Sequence, residues 1–165
     1  LIQTNLIEKF RSIEVIAWTT LIFGILLYVS DKYKLKKNIK NNFNYKTALI
    51  IGLFQIISLI PGVSRSGITI TAARLLNFKR YDSAKISFLL SIPTLGAVTI
   101  FGLGNLLGSQ NINFSQINLL SIFFSFIFSF LTIKYFLIYI KKFSLKIFII
   151  YRVILGLILL TFVYL

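Results

Sequence analysis

The 165-residue chain contains no cysteine, no histidine and no methionine, and only four of its residues are acidic. Without cysteine it can form neither disulfides nor thiolate metal sites, and without histidine it lacks the commonest general base and metal ligand of proteins. Any chemistry must use serine, threonine, tyrosine, arginine, lysine or the four acids, which are Glu8, Glu14, Asp31 and Asp82. Because the chain begins at Leu1 without an initiator methionine, we expect it to be a piece of a longer protein.

Charge is scarce and apolar residues are abundant. Charged residues make up 13% of the chain, about half the usual share, hydrophobic residues make up 57%, and the mean hydropathy is +0.87. A soluble domain of this size leaves a large fraction of its surface in water, so this composition indicates a membrane protein. The 18 lysines and arginines give a net charge of +14, which favours anionic lipid head groups or phosphates as partners rather than nucleic acid.

Four apolar stretches are long enough to cross a hydrocarbon core of ~30 Å as helices. They predict an all-α polytopic membrane protein, a single transmembrane domain over residues 1–165, with spans at about 13–30, 83–107, 117–140 and 147–165. The loop that follows the first span, residues 31–46, contains six lysines and reads as a solvated loop at a membrane surface.

The segment 47–77 does not fit a span, because the motif PGVSRSG interrupts it at residues 61–67. Its halves, Thr47–Ile60 and Gly67–Asn77, reach only about 21 Å and 16 Å as helices. Two short helices that meet at such a turn predict a re-entrant hairpin, half of an inverted-repeat fold. If the hairpin enters and leaves by one face, all the basic links lie on the cytoplasmic side, as the positive-inside rule requires.

The turn of this hairpin contains Arg65 in an otherwise apolar neighbourhood, with no acid nearby in the sequence. A guanidinium at membrane depth costs at least ~2.5–3.5 kcal/mol on insertion scales, so it needs an anionic partner or water. Its planar guanidinium can donate two parallel hydrogen bonds to a pair of phosphate oxygens. A helix that starts at Gly67 offers free N–H groups to the same anion. Hydroxyl groups and flexible backbone complete a phosphate cradle: Ser64, Ser66, Thr69, Gly62 and Gly67.

Plainer interpretations exist for the same residues. Arg65 could be a topological charge that snorkels to an interface, and Ser64 and Ser66 could only cap the following helix. The basic residues after the turn are most simply interpreted as charges that fix topology: Arg74, Lys79, Arg80 and Lys85.

Two segments, QIISLIPGVSRSGITITAARLL at Gln55–Leu76 and SAKISFLLSIPTLGA at Ser83–Ala97, closely resemble the second signature region of the undecaprenyl-diphosphatase family, also called bacitracin-resistance proteins. The family pattern P-G-x-S-R-S-G-x-T is matched at Pro61, Gly62, Ser64, Arg65, Ser66, Gly67 and Thr69. The resemblance implies a multi-pass enzyme of the bacterial inner membrane. Such enzymes hydrolyse the terminal phosphate of a C55 polyprenyl diphosphate, which regenerates the carrier lipid for peptidoglycan.

The same resemblance implies a role for each matched residue. Arg65 would bind and polarise the diphosphate, Ser64 and Ser66 would donate hydrogen bonds to it, and Thr69 would complete the set of residues that bind it. Substrate-binding positions would be Pro61, Gly62, Gly67 and Gln55, the last of which lies at a place that resembles a carboxylate motif of the family's first repeat. The partners implied are the polyprenyl diphosphate lipid and the membrane, and a homodimer is left open.

The sequence departs from the family in one respect. Members carry an earlier repeat with a Glu/Gln-x-x-x-Glu motif and a histidine-containing signature, which are expected to hold a divalent cation, Mg²⁺ or Ca²⁺. This chain has neither, so it resembles the C-terminal portion, and we expect it to lack the metal ligands and to be inactive alone. Two other hypotheses are a non-enzymatic polyprenyl-phosphate binder or translocator, and a structural subunit without a ligand.

Overall fold

The computed structural model describes residues 12–32, 36–108 and 116–165. These residues form seven α-helices: α1 Ile13–Lys32, α2 Ile39–Asn42, α3 Tyr45–Ile56, α4 Arg65–Leu75, α5 Arg80–Gly108, α6 Gln116–Lys142 and α7 Lys146–Tyr164. A short 3-10 helix, Ile57–Leu59, follows α3. Within the described ranges the only β pairing is an isolated bridge between Lys37 and Phe78. The predicted all-α class is confirmed.

Helices α1, α5, α6 and α7 are long and apolar enough to cross a membrane, which confirms the number of predicted spans. Their ends extend past the apolar runs. Helix α5 begins at Arg80 rather than at residue 83, and the Ser83 N–H already donates to the Lys79 carbonyl at 2.8 Å. Charged side chains at a helix end can reach water, so they do not terminate the helix. Glu8 and most of the uncharged link 108–116 lie outside the described residues.

The first and last helices, α1 and α7, pack closely through glycines. A Cβ placed on Gly156 would lie 3.0 Å from the Leu21 Cβ, and a Cβ placed on Gly24 would lie 3.3 Å from the Arg152 Cβ. Small residues let helix backbones approach each other in this way. The contact brings Arg152 of α7 against α1.

Helices α3 and α4 form a hairpin whose two ends meet. The Lys37 N–H donates to the Asn77 carbonyl at 3.0 Å, and the Lys79 N–H donates to the Lys37 carbonyl at 3.1 Å. The chain therefore enters and leaves the hairpin at the same level. A cluster of buried apolar residues holds the two helices together and against α5: Ile51, Ala72, Ala73, Phe78 and Ile86.

At the open end of the hairpin, the end away from the turn, the Asp31 side chain contacts α4, α5 and the residue before α7. This carboxylate is 5% exposed and accepts from Arg80 Nε at 2.6 Å and Nη2 at 3.1 Å. Arg74 Nη2 lies 3.5 Å from it, and the Leu145 N–H donates to it at 3.3 Å. Arg74 and Arg80 are therefore internal ion-pair partners, which corrects their interpretation as purely topological charges. Lys79 and Lys85 are exposed.

Candidate phosphate-binding site

The turn between α3 and α4 depends on Gly62. This residue has φ +86, in the left-handed region that favours glycine. It also lies directly against α1, because a Cβ at this position would collide with Thr19 Oγ1 and lie 2.6 Å from the Ile16 carbonyl oxygen. Glycine is required here both for the backbone conformation and for the close approach.

Replacing Gly62 by alanine is expected to destabilise the protein. The left-handed backbone alone costs about 1–3 kcal/mol for a residue with a Cβ, and the collision with Thr19 adds to this cost. Thermal unfolding in detergent should show a clear drop in the midpoint for Gly62→Ala. The matched control is Gly52→Ala in α3, where a Cβ meets nothing within 4 Å. Equal unfolding midpoints for the two variants would contradict the requirement for glycine at position 62.

The carbonyl groups of the turn are held by side chains of α1 and α7. Thr19 Oγ1 donates to the Pro61 carbonyl at 2.7 Å, and Thr20 Oγ1 donates to the Gly62 carbonyl at 3.3 Å. Arg152 Nη2 donates to the same Gly62 carbonyl at 2.9 Å. These bonds satisfy backbone groups of the turn that would be costly to leave unpaired in the protein interior. The turn is thus a fixed structure supported by two spanning helices.

Helix α4 begins at Arg65, two residues before the predicted start at Gly67. The reason is local: Ser64 has an extended backbone, and its Oγ accepts from the Gly67 N–H at 3.1 Å, so it is the N-cap. Ser66 lies in the first turn of the helix, where its Oγ is 3.3 Å from that of Ser64. The capping role is therefore confirmed for Ser64, whereas Ser66 contacts the cap instead of acting as one.

Arg65 is half-buried and points toward α5, where its Nη1 donates to Thr94 Oγ1 at 3.2 Å. Among the described residues no carboxylate forms an ion pair with it. The guanidinium is therefore placed by a neutral hydroxyl and keeps donors for an anion.

Thr69 hydrogen-bonds to α5, and Gln55 lies in α3, before the turn. Thr69 is 1% exposed, and its Oγ1 bonds to Ser87 Oγ at 2.6 Å and to the Arg65 carbonyl at 2.9 Å. It supports the first turn of α4 from the α5 side. Gln55 is half-buried in α3, and its main-chain carbonyl accepts a hydrogen bond from Ser58 Oγ at 2.6 Å.

A cavity of about 630 Å³ opens beside the turn, between α1, α4, α6 and α7. Of the predicted site residues, the structure brings Gly62, Ser64, Ser66 and Gly67 to this cavity, together with Thr20 and Arg152. Arg65, Thr69, Gln55 and Pro61 do not line it. The remaining walls are mostly apolar and include Leu27, Ile70, Phe88, Phe136, Leu145 and Phe148.

Arg152 is the site residue that sequence reasoning missed. It is 8% exposed, and a Cβ on Gly67 would lie 2.7 Å from its Nη1, so the absence of a side chain at Gly67 makes room for it. It is the only charged residue of the stretch 147–165. A lone charge within an apolar span is a functional candidate by default, so the reasoning applied to Arg65 would also have singled out Arg152.

The donor set of the turn suits an anion rather than a metal. Hydroxyl and guanidinium groups surround it, and the described residues contain no group of three or more acidic side chains. Divalent Mg²⁺ or Ca²⁺ requires oxygen ligands, usually with carboxylates among them, and would be repelled by the two arginines. The described residues therefore do not fit a divalent cation, whereas they fit a phosphate.

The family of the chain follows from comparison with known proteins. Residues 1–158 match the family described as Bacitracin resistance protein BacA. The chain belongs to this family. It is 55% identical over 160 residues to the undecaprenyl-diphosphatase of Pelagibacter ubique, covering 97% of this chain and 61% of that protein. Against the undecaprenyl-diphosphatase of Roseobacter denitrificans the identity is 40% over 161 residues, 98% of this chain and 60% of that protein.

A third relative, the undecaprenyl-diphosphatase of Saccharophagus degradans, is 44% identical over 160 residues, 94% of this chain and 59% of that protein. The chain therefore spans about 60% of the length of the curated relatives that it matches.

Proposed function

We propose that this chain supplies the phosphate-binding part of an undecaprenyl-diphosphate phosphatase. The reaction removes the terminal phosphate of a C55 polyprenyl diphosphate, gives the monophosphate and recycles the carrier lipid of cell-wall synthesis, which would confer bacitracin resistance. The observation that carries the proposal is Arg65, a guanidinium in the first turn of α4 with no carboxylate partner among the described residues. The names of the relatives support the choice of substrate.

The residues of the turn can perform the work that phosphoryl transfer demands. Its transition state needs positioning and charge stabilisation more than covalent chemistry by the protein. The Arg65 fork can hold two phosphate oxygens, and the Ser66 hydroxyl, which is exposed, can donate to a third. The N-terminal end of α4 adds main-chain N–H groups and its positive dipole.

The divalent cation expected from the family would be bound outside the described residues, which do not fit it. When bound, it would neutralise charge on the diphosphate. We therefore assign to this chain the binding and orientation of the lipid phosphates, and leave the cation ligands to the rest of the protein.

In the bacterial inner membrane, α1, α5, α6 and α7 would span the bilayer and the α3–α4 hairpin would be re-entrant. The backbone pairing of Lys37 with Phe78 supports this placement, because a hairpin whose ends meet can enter and leave by the same face. The basic residues near those ends then lie on the cytoplasmic side, and the turn points toward the outer half of the bilayer.

Phosphate release from a polyprenyl diphosphate, with Mg²⁺ or Ca²⁺ present, tests this function. The complete gene product is expected to release phosphate, whereas the 165-residue chain alone is expected to release none above the protein-free control. Turnover by the 165 residues alone would contradict the assignment of the cation ligands to another part of the protein.

A second candidate function is non-enzymatic binding or translocation of a polyprenyl phosphate. It is favoured by the donor set of the turn, which can hold a phosphate although the described residues contain no acidic cluster. The same assay separates the two functions. A complete gene product that binds the lipid diphosphate without releasing phosphate would be a binder or translocator.

A further inference from the structure

A second cavity, of about 500 Å³, lies at the open end of the hairpin, where the start of α5 meets the end of α6. It shares no lining residue with the cavity beside the turn. Its walls come mainly from the residues around the start of α5 and from the end of α6, and Asn38 lines it from the segment before α2. The phosphate-binding role proposed for the turn makes no use of this cavity.

Cations of α5 and α6 line the second cavity. Lys141 and Lys142 lie in the last turn of α6 and are exposed, and neither pairs with a carboxylate of the described residues. The Lys141 ammonium lies 4.8 Å from the centre of the Tyr81 ring, which holds it beside the start of α5. Arg80 binds Asp31 through Nε and Nη2, so its Nη1 is not used in this ion pair.

The carboxylate of Asp82 also lines this cavity. It is half-buried and forms no ion pair among the described residues. The two lysines at the end of α6 carry more charge than this one carboxylate. The cavity therefore remains complementary to an anion, although Asp82 weakens the attraction.

The level of the cavity in the membrane decides which anion it meets. Helices α5 and α6 are long and apolar enough to cross a bilayer, and the cavity lies at the charged end of both, which is the level of the phospholipid head groups. Ile138, one turn before the two lysines on the same face of α6, is 46% exposed, and Phe143 at the cavity is 56% exposed. A soluble anion would leave this apolar surface uncovered, whereas a phospholipid can place its phosphate in the cavity and its acyl chains along α6.

We propose that the second cavity binds the head group of an anionic phospholipid, with Lys141 and Lys142 on the phosphodiester, Arg80 Nη1 as a further donor and the acyl chains along α6. Basic pockets between spanning helices bind anionic head groups at the membrane surface. The bound lipid would connect the start of α5 with the end of α6. This site lies outside the proposed function, since no step of phosphate release uses it.

A tryptophan at position 143 gives a local readout of lipid binding to the complete gene product in reconstituted bilayers. Phe143→Trp exchanges one exposed aromatic ring for another, in a background where Trp18→Phe removes the one tryptophan of the 165 residues and any tryptophan elsewhere is also replaced. Brominated phosphatidylglycerol and brominated phosphatidylcholine with the same chains quench a tryptophan that they contact. We expect about tenfold preference for phosphatidylglycerol at position 143. At Phe126→Trp, exposed near the middle of α6, we expect no preference.

Charge variants in the position-143 reporter assign the preference to particular side chains. Lys141→Gln combined with Lys142→Gln should abolish it, since two lysines near an anionic membrane surface strengthen binding by roughly tenfold or more. The matched control is Lys36→Gln combined with Lys40→Gln, which removes the same charge from two exposed residues that do not line the cavity. This control should keep the preference of the unmodified reporter.

Asp82→Asn changes the same cavity in the opposite direction. It should raise the preference for phosphatidylglycerol, because it removes the carboxylate that repels the head group. A folding defect cannot explain a loss in the lysine variant and a gain in this one. Replacing buffer chloride by inorganic phosphate at equal ionic strength should leave the preference intact.

Four results would overturn the proposal. The first is equal quenching by the two lipids at position 143. The second is an equal preference in the two double variants, which would identify a general attraction of lysines to the membrane. The third is an unchanged or lower preference in Asp82→Asn. The fourth is loss of the preference in inorganic phosphate, which would identify a site for free phosphate. Because no polyprenyl diphosphate is present, failure of phosphate release would reject the proposed function and leave this result standing.

Discussion

Replacing Arg65 by lysine in the complete gene product is expected to lower kcat for phosphate release by about 10²–10³-fold, the usual loss when one donor to a developing anionic charge is removed. Lysine keeps the charge but loses the planar fork. It would also lose the fixed placement that Arg65 Nη1 has through its bond to Thr94 Oγ1 at 3.2 Å. Arg65→Ala should lose at least as much. Steady-state phosphate release with a polyprenyl diphosphate gives kcat and KM for each variant.

Lys79→Gln is the control for this prediction, because Lys79 is an exposed cation a few residues after the end of α4. Its kcat should stay within twofold of the wild-type value. Wild-type activity of Arg65→Lys would contradict the phosphate-binding role and would favour the interpretation of Arg65 as a topological charge.

The second large effect is expected for stability on replacing Asp31 by asparagine. Arg74 is 3% exposed and its Nη2 lies 3.5 Å from the Asp31 carboxylate, so the substitution removes an anionic partner from a buried charge. Removing one partner of a buried ion pair typically costs about 3–5 kcal/mol. The Arg80 contact is shorter, at 2.6 Å, but this side chain is 38% exposed, so water screens its contribution and Arg74 dominates the loss.

Unfolding of the purified protein in detergent, by heat or denaturant, measures this loss. Asp82→Asn is the matched control, since Asp82 is half-buried and forms no ion pair among the described residues. Its effect should stay within about 0.5 kcal/mol, as for substitutions away from such networks. If Asp31→Asn and Asp82→Asn were equally stable, Asp31 could not hold the open end of the hairpin together.

The features that sequence reasoning predicted correctly all depend on local signals. The four apolar runs predicted four spanning helices, and the motif at residues 61–67 predicted the break between two short helices, because glycine and proline determine backbone conformation by themselves. Capping by Ser64 is equally local, since the acceptor and the Gly67 N–H are three positions apart. The predicted helix start was wrong by two residues, because capping can begin a helix at either serine of such a motif.

The features that were missed are contacts between distant parts of the chain. Arg152 lies 90 positions from Gly62, and Arg80 lies 49 positions from Asp31. No periodicity records such pairs, so Arg80 was indistinguishable from a topological charge. The direction of a side chain is also invisible in the sequence: Thr69 follows the family motif, yet its hydroxyl is buried against Ser87.

A single thiol at position 66 tests most directly whether the turn is where the lipid phosphates bind. The 165 residues contain no cysteine, so Ser66→Cys places one thiol in the first turn of α4, provided that any cysteine elsewhere in the gene product is replaced by serine. Ser121→Cys, exposed on α6, is the control. A polyprenyl diphosphate should slow maleimide labelling of Ser66→Cys at least tenfold, while the uncharged polyprenol leaves it unchanged and Ser121→Cys responds to neither. Equal labelling of Ser66→Cys with and without the diphosphate would contradict the phosphate-binding turn.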